Sequence, residues 1–206
     1  MRLQKIAMKK ICLIITCVLA STVVFAQHGA KFGLKGGLNV ASLKFDNTEE
    51  VDARLGLHLG VLTHLHLAPQ WALQPEVVYS QEGAKFSDPD GITVKTDYIN
   101  VPVMIQYMFN NGFRLEAGPQ LGLAVNQKIE DDESDEEVDA DDLFKSTNVS
   151  VGLGVSYLTY SGIGIGARYN LGLSNISESD DNEIKGRNFQ ISLFYMFDSQ
   201  HKAKSR

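Results

Sequence analysis

Three histidines in one short segment are the side chains of this sequence best placed to do chemistry. His58, His64 and His66 stand in LGLHLGVLTHLHLA, where they alternate with apolar residues. On a β-strand, His64 and His66 share one face two positions apart, a spacing that metal ligands use, and neutral imidazole suits zinc, copper or nickel. No cysteine and no clear third ligand lies nearby in the sequence. We therefore predict histidines that are hydrogen-bonded inside the protein, and no metal site.

A serine hydrolase would need a nucleophile, a base and a carboxylate. Ser80 and Glu76 lie in the segment LQPEVVYSQEGAKF, and one of the histidines could serve as the base. Residues of these three types are common in chains of this composition, so the pattern has little specificity. We predict no enzymatic activity, no catalytic residue and no cofactor.

Ten carboxylates fall within the thirteen residues EDDESDEEVDADD, from Glu130 to Asp142, which we call the acidic segment. Carboxylates at this density repel one another and resist packing, which predicts a solvated, mobile loop. Carboxylate oxygens are also the ligands that Ca²⁺ and Mg²⁺ prefer, although the segment lacks the glycine of an EF-hand loop. Divalent cations are therefore candidate ligands of the acidic segment.

The N-terminal residues predict export. Four basic residues among the first ten are followed by an apolar run over 11–25 and by VFAQ, which suits signal-peptidase cleavage between Ala26 and Gln27. The run is shorter than the ~20 residues of a spanning helix. We divide the chain into a cleaved signal peptide (1–26), one domain (27–197) and a short polar tail (198–206).

Removal of the signal peptide changes the composition of the chain. Both cysteines leave with it, so the mature chain has neither disulfide nor thiol chemistry. The mature chain keeps 15 of the 19 basic residues and all 25 acidic residues, a net charge of −10. Ten of those acids lie in the acidic segment, so the remainder is close to neutral and lacks the basic surface of a nucleic-acid-binding protein.

Eight runs of alternating apolar and polar residues follow, without a convincing helical period. We place the strands at 31–43, 55–67, 71–83, 96–109, 113–126, 147–159, 163–175 and 188–197. Tight turns at 68–70, 110–112 and 160–162 alternate with four long polar links. Short turns at one rim and long loops at the other are typical of a transmembrane barrel, whose chain ends then lie on the short-turn, periplasmic side.

Each predicted strand has an apolar face and a polar face. The polar faces include Lys35, Asn39, His58, His64, His66, Gln74, Glu76, Ser80, Arg114, Glu116, Gln120, Asn126, Arg168, Asn170, Asn188, Gln190 and Ser192. The apolar faces include the C-terminal stripe Phe189, Ile191, Leu193, Tyr195 and Phe197. Beside the short turns lie Trp71, Tyr107, Phe109, Phe113, Tyr157, Tyr160, Tyr195 and Phe197, which predict the aromatic girdle of a membrane interface.

Alternation alone does not decide which face lies outside. A soluble lipocalin-like barrel would turn its apolar face toward a ligand cavity. Loop lengths, the aromatic girdle and the smooth aliphatic strips favour apolar faces that meet lipid. Inside, we expect the charges of Lys35, Glu76, Arg114, Glu116 and Arg168 to pair, with Asn39, Gln74, Gln120 and Asn170 completing the hydrogen bonds. A structural plug is the favoured role of this network, and a proton or ion path is the alternative.

Four segments resemble the PorT-like, porin-family outer-membrane β-barrel proteins of Bacteroidetes. They are GLKGGLN (33–39), LQPEVVYSQEGAKF (73–86), YINVPV (98–103) and LEAGPQLG (115–122). The resemblance covers nearly the whole mature chain and implies an outer-membrane barrel of about eight strands. The stripe that ends at Phe197 also resembles the signal that the barrel-assembly machinery reads.

The sequence thus predicts an all-β fold, an eight-stranded antiparallel up-and-down transmembrane β-barrel with short periplasmic turns and longer extracellular loops. Its expected location is the outer membrane of a Gram-negative cell. Its expected partners are the lipid bilayer with its lipopolysaccharide, the barrel-assembly machinery and divalent cations at the acidic segment. The expected role is structural or interaction-based, through the loops. A small-solute or ion pore is the second interpretation, and a lipid-modifying enzyme is the third.

Overall fold

The computed structural model describes residues 30–45, 52–86, 91–131, 137–139, 145–177 and 184–197. The predicted signal peptide, the predicted polar tail and most of the acidic segment lie outside these residues. Within the described part of the chain, no helix is long and apolar enough to cross a membrane.

The regular elements described are all β-strands. They are β1 (Lys31–Phe45), β2 (Asp52–Ala68), β3 (Trp71–Phe86), β4 (Ile92–Met108), β5 (Phe113–Asp131), β6 (Glu137–Asp139), β7 (Thr147–Leu158), β8 (Ile163–Gly172) and β9 (Ile184–Met196). Eight of them form the wall, each antiparallel to its neighbours, and β1 pairs with β9 to close it. Closure leaves the wall without a free edge. The predicted fold class, a closed eight-stranded antiparallel barrel, is confirmed.

Three short connections confirm the predicted turns, at residues 69–70, 109–112 and 159–162. The last two are built alike, because Gly112 N–H donates to Phe109 O and Gly162 N–H donates to Thr159 O, both at 3.2 Å. Gly112 and Gly162 have φ angles of 91° and 87°, a left-handed conformation that glycine adopts without a Cβ clash. We call this rim the short-turn end and the opposite rim the long-loop end.

The wall is taller than predicted at the long-loop end. β5 continues past the predicted end at residue 126 to Asp131, and β6 pairs with residues 128–130. Ile129 packs against an apolar cluster inside this end of the barrel, which holds the extended strand in register. The prediction of a loop was therefore wrong for these residues, where the acidic segment starts as a β-hairpin arm.

The stripe on β9 lies on the outside of the barrel. Its five apolar side chains, from Phe189 to Phe197, are 39–63% exposed, whereas Asn188, Gln190 and Ser192 between them are buried. The aromatic side chains beside the short turns are also outside and touch one another. Ring centroids are 5.1 Å apart for Trp71–Tyr107, 5.0 Å for Tyr107–Phe109, 5.7 Å for Phe109–Phe113 and 5.4 Å for Tyr195–Phe197. The exterior is thus an apolar band with an aromatic border.

Asn126 is the one predicted interior residue that the structure places elsewhere because of a backbone irregularity. Asp97 pairs with Asn126, but Tyr98 pairs with Ala124, so β5 carries one extra residue at this point. Such a bulge exchanges the two faces of the strand beyond it. Asn126 Nδ2 consequently donates to Asp97 Oδ2 at 3.2 Å, beside the half-exposed Tyr79, whose hydroxyl donates to the same oxygen. Gln127 takes the interior position and is buried.

Candidate functional site

Glu76 on β3 is the centre of a buried charge cluster in the middle of the lumen. Arg168 on β8 binds it with two parallel hydrogen bonds, Nη1 to Oε2 at 2.9 Å and Nη2 to Oε1 at 2.7 Å. Lys35 Nζ donates to Oε2 at 3.2 Å, and Gln74 Nε2 donates to Oε1 at 2.8 Å. Bidentate guanidinium–carboxylate pairs are among the strongest hydrogen-bonded pairs in proteins. Every lone-pair region of this carboxylate therefore faces a donor.

Arg168 also joins this cluster to a second carboxylate. Its Nε and Nη2 atoms both lie 2.7 Å from Oε1 of Glu116 on β5, and Gln106 Nε2 on β4 donates to Oε2 at 2.9 Å. β3 and β8 are four strands apart in either direction around the eight-stranded wall. The Arg168–Glu76 pair therefore crosses the full diameter of the barrel.

A second polar network lies next to the charge cluster, toward the long-loop end. Asn39 Nδ2 donates to Ser80 Oγ at 2.8 Å, and Ser80 Oγ donates to Glu82 Oε1 at 2.9 Å. Asn100 Nδ2 reaches the same oxygen at 2.9 Å. Asn39 Oδ1 accepts from Gln190 Nε2 at 3.2 Å, so this network also links strands from different sides of the wall.

The structure contradicts the hydrolase arrangement considered from the sequence. Ser80 contacts Asn39 and Glu82, whereas His58 lies between Asn39 Oδ1, 2.8 Å from Nδ1, and Ser192 Oγ, 2.9 Å from Nε2. An Asn39 oxygen can only accept, so Nδ1 carries the proton and Nε2 accepts from the serine. Ser192, His58 and Asn39 are thus hydrogen-bonded in a Ser–His–Asn order. The adjoining cavity holds about 20 Å³, which has room for a water molecule but not for an organic substrate.

The three histidines do not converge on one point. His64 and His66 are in edge-to-face contact with ring centroids 4.8 Å apart, while His58 belongs to the network around Asn39. Across the described residues, no group of three His, Cys, Asp or Glu side chains has the geometry of a metal site. His66 contacts the buried His64 but is itself exposed, because it lies at the short-turn mouth, where it lines a cavity.

Two apolar clusters lie inside the barrel beyond the polar layers. Leu62, Leu158 and Met196, with Phe194 against them, pack together toward the short-turn end. Leu43, Ala84, Val94, Ile176 and Ile184 fill the long-loop end. Ile176 reaches this cluster because β8 ends at Gly172, short of the predicted end at residue 175, and the chain turns inward. Apolar side chains thus lie on both sides of the charged layer.

Most of the predicted interior residues come together as expected. Lys35, Glu76, Glu116 and Arg168 form one cluster, and Asn39 and Gln74 complete hydrogen bonds. Arg114 is buried but, within the described residues, its Nη1 atom has no hydrogen-bond partner. The same is true of both side-chain polar atoms of Asn170.

Sequence reasoning missed Gln106, Glu82 and Asn100. Each lies two positions from another buried residue on its strand, so the same period-2 pattern could have indicated them: Gln106 after Met104, Glu82 after Ser80 and Asn100 after Tyr98. Gln106 and Asn100 stand among apolar neighbours, which hid the polar face of β4.

The sequence and the fold match known proteins. The family model for the outer membrane protein beta-barrel domain matches residues 25–178. Among solved structures, Neisserial surface protein A (NspA) is 14% identical, with a TM-score of 0.58, over 82% of this chain and 99% of that chain. Ail, the attachment invasion locus protein of Yersinia pestis, solved with the heparin analogue sucrose octasulfate, is 17% identical, with a TM-score of 0.51, over the same shares.

No curated protein matches the sequence. The likeness to NspA and Ail is a likeness of fold, and the family assignment rests on the match to residues 25–178, which is most of the chain. An apolar exterior with an aromatic border is the surface that such a fold presents to lipid. The chain therefore belongs to the outer membrane protein β-barrel domain family and is an eight-stranded barrel of the outer membrane.

Proposed function

We propose that the barrel is a closed scaffold whose biological role is carried by its extracellular loops. It neither conducts solutes nor catalyses a reaction. The observation that carries this proposal is the Arg168–Glu76 pair, which crosses the diameter of the lumen and is completed by Lys35, Gln74 and Glu116. An eight-stranded barrel has an interior just wide enough for side chains to fill.

The proposal is supported by the order of layers along the barrel axis. An ion that passed beyond the short-turn mouth would meet the cluster of Leu62, Leu158 and Met196, which offers it no polar ligand. It would then have to separate a buried guanidinium from two carboxylates, and breaking such a pair is costly in a low-dielectric interior. The cavity beside this layer holds about 20 Å³. Neither step suits rapid passage, so a pore is the less favoured alternative.

Planar-bilayer recordings test the closed interior. We expect the unmodified barrel to give no steady conductance steps, under conditions in which a known porin conducts. The double variant Glu76→Ala with Arg168→Ala removes the side chains that cross the lumen, and we expect channel activity to appear in it. Steady single-channel steps from the unmodified protein would contradict the proposal and support the pore.

The acidic segment is the second candidate for function, as a site for divalent cations. β6 pairs with β5 so that Glu130 opposes Glu137, and like charges directly opposite each other are unfavourable in a sheet. Lys95 offsets part of this repulsion through an ion pair with Glu130 at 2.6 Å. A bound Ca²⁺ would offset more of it, and could link the arm to the phosphates of lipopolysaccharide.

Calorimetric titration with Ca²⁺ tests this second candidate. We expect affinity to fall about tenfold when four carboxylates are neutralised, because ligand charge sets the affinity of such sites. The test variant combines Asp131→Asn, Asp132→Asn, Asp139→Asn and Asp141→Asn. A matched control changes four carboxylates of another link: Asp46→Asn, Glu49→Gln, Glu50→Gln and Asp52→Asn. Equal Ca²⁺ affinity in the test variant and the unmodified protein would remove the cation site.

The charge of the loops also bears on the type of partner. Ail was solved with a polyanionic sugar sulfate, whereas the longest link of this chain carries ten carboxylates. The loops here therefore favour cationic partners over sulfated sugars.

We also propose that the chain is a PorT-like member of this family from Bacteroidetes, that its signal peptide is cleaved, and that the barrel-assembly machinery inserts it. These assignments rest on the segments GLKGGLN and YINVPV and on the apolar stripe of β9.

A further inference from the structure

A second cavity opens at the short-turn end, away from the charge cluster. It holds about 60 Å³ and is lined by His66, Met108, Arg114 and Leu158, together with residues of the turns at 109–112 and 159–160. A single water needs roughly 10–15 Å³, so there is room for a phosphate-sized group. The described residues that line it include neither aspartate nor glutamate.

Arg114 gives this cavity a buried positive charge. The residue is only 4% exposed, and among the described residues its Nη1 atom has no hydrogen-bond partner. The nearest carboxylate in sequence, Glu116, is already engaged by Arg168 on one oxygen and by Gln106 on the other. A buried guanidinium nitrogen without a hydrogen-bond partner is costly, and an acceptor bound in the cavity would remove that cost.

The balance of charge in the lumen supports the same conclusion. Lys35, Arg114 and Arg168 are three cations, whereas the cluster that they surround contains two carboxylates, Glu76 and Glu116. Arg168 and Lys35 are both paired with Glu76, so the excess charge falls on Arg114. Lys31 and Arg114 also both lie near enough to His66 to interact with it electrostatically. The cavity is therefore an electropositive pocket with an open mouth.

We propose that this pocket binds a small oxyanion, a phosphate group held by the guanidinium fork of Arg114. Planar guanidinium groups bind phosphate oxygens in pairs, and a low-dielectric mouth strengthens the attraction. The phosphate can belong to a soluble solute or to the headgroup of a lipid in the adjacent leaflet. The site lies outside the closed charge cluster, so binding at it is independent of whether the barrel conducts.

Calorimetry on the purified full-length barrel in a phosphate-free maltoside detergent tests the site. One arm titrates inorganic phosphate and the other titrates short-chain phosphatidylglycerol. We expect saturable binding that Arg114→Gln weakens at least about tenfold, while Arg114→Lys, which keeps the charge without the fork, weakens it less. Lys95→Gln, which removes a cation at the opposite end of the barrel, should leave the affinity unchanged.

The two arms separate the sources of the phosphate. Arg114-dependent binding of inorganic phosphate supports a soluble ligand, and Arg114-dependent binding of phosphatidylglycerol alone supports a lipid headgroup. Absence of binding in both arms, or equal binding by Arg114→Gln and the unmodified protein, overturns the proposal.

A second measurement needs no variant at Arg114. It follows the imidazole NMR signal of His66, which is assigned by comparison with His66→Asn. Either ligand should shift this signal and leave that of His58 in place, and an unmoved His66 signal would also overturn the site.

Discussion

Replacement of Glu76 by glutamine is expected to lower the free energy of unfolding by about 3–5 kcal/mol, because it removes the carboxylate that two buried cations share. Arg168 would lose its bidentate partner, and Lys35 would lose the carboxylate oxygen to which it donates. Glutamine keeps the size of the side chain, so the decrease in the free energy of unfolding arises from the lost charge and not from altered packing. Urea titration of the folded barrel in detergent, followed by the fluorescence of its single tryptophan, Trp71, measures the change.

Two further variants show whether the loss arises from burial of charge. Glu130→Gln removes the carboxylate of an ion pair whose two side chains are 24% exposed, and we expect a loss of at most about 1 kcal/mol. Glu76→Gln with Arg168→Gln removes one charge of each sign, so it should be more stable than Glu76→Gln alone. A Glu76→Gln barrel within about 1 kcal/mol of the unmodified protein would show that the cluster contributes little.

Replacement of Gly37 by alanine is expected to cost about 3 kcal/mol or to prevent folding. Gly37 lies on β1 opposite Ser192 on β9, at the seam that closes the barrel. A Cβ there would overlap the carbonyl oxygen of Ile191 and lie 2.8 Å from Cα of Ser192. These are backbone atoms, so the clash is relieved only if the two strands separate.

The adjacent glycine provides a matched control for this prediction. A Cβ at Gly36 would meet only the Cδ1 atom of Leu59, at 3.3 Å, and the carbonyl oxygen of His58, at 3.5 Å. Gly36→Ala should therefore fold normally, since a leucine side chain can move by a few tenths of an ångström. Gel migration in SDS with and without boiling, followed by urea titration, compares the two variants. Equal stability of Gly36→Ala and Gly37→Ala would contradict a tight seam.

Much of the barrel could be predicted from the sequence because a strand has a two-residue period. The stripe from Phe189 to Phe197 was placed outside and Asn188, Gln190 and Ser192 inside, and the structure confirms both. The short turns were equally readable, since glycines at 112 and 162 mark the left-handed position that such turns require. The prediction failed at Asn126, where a bulge makes the strand change face.

The sequence by itself determined which side chains enter the interior, and only the tertiary structure decided which of them meet. Alternation is a local property, so the burial of Arg168 and Glu76 follows from their own strands. Their pairing does not, because β3 and β8 lie on opposite sides of the wall and their relative heights depend on the stagger of every strand between them. The same stagger brings His58 on β2 next to Ser192 on β9, across the intervening strand β1. It also left Arg114 beside an open pocket while Arg168 took both carboxylates.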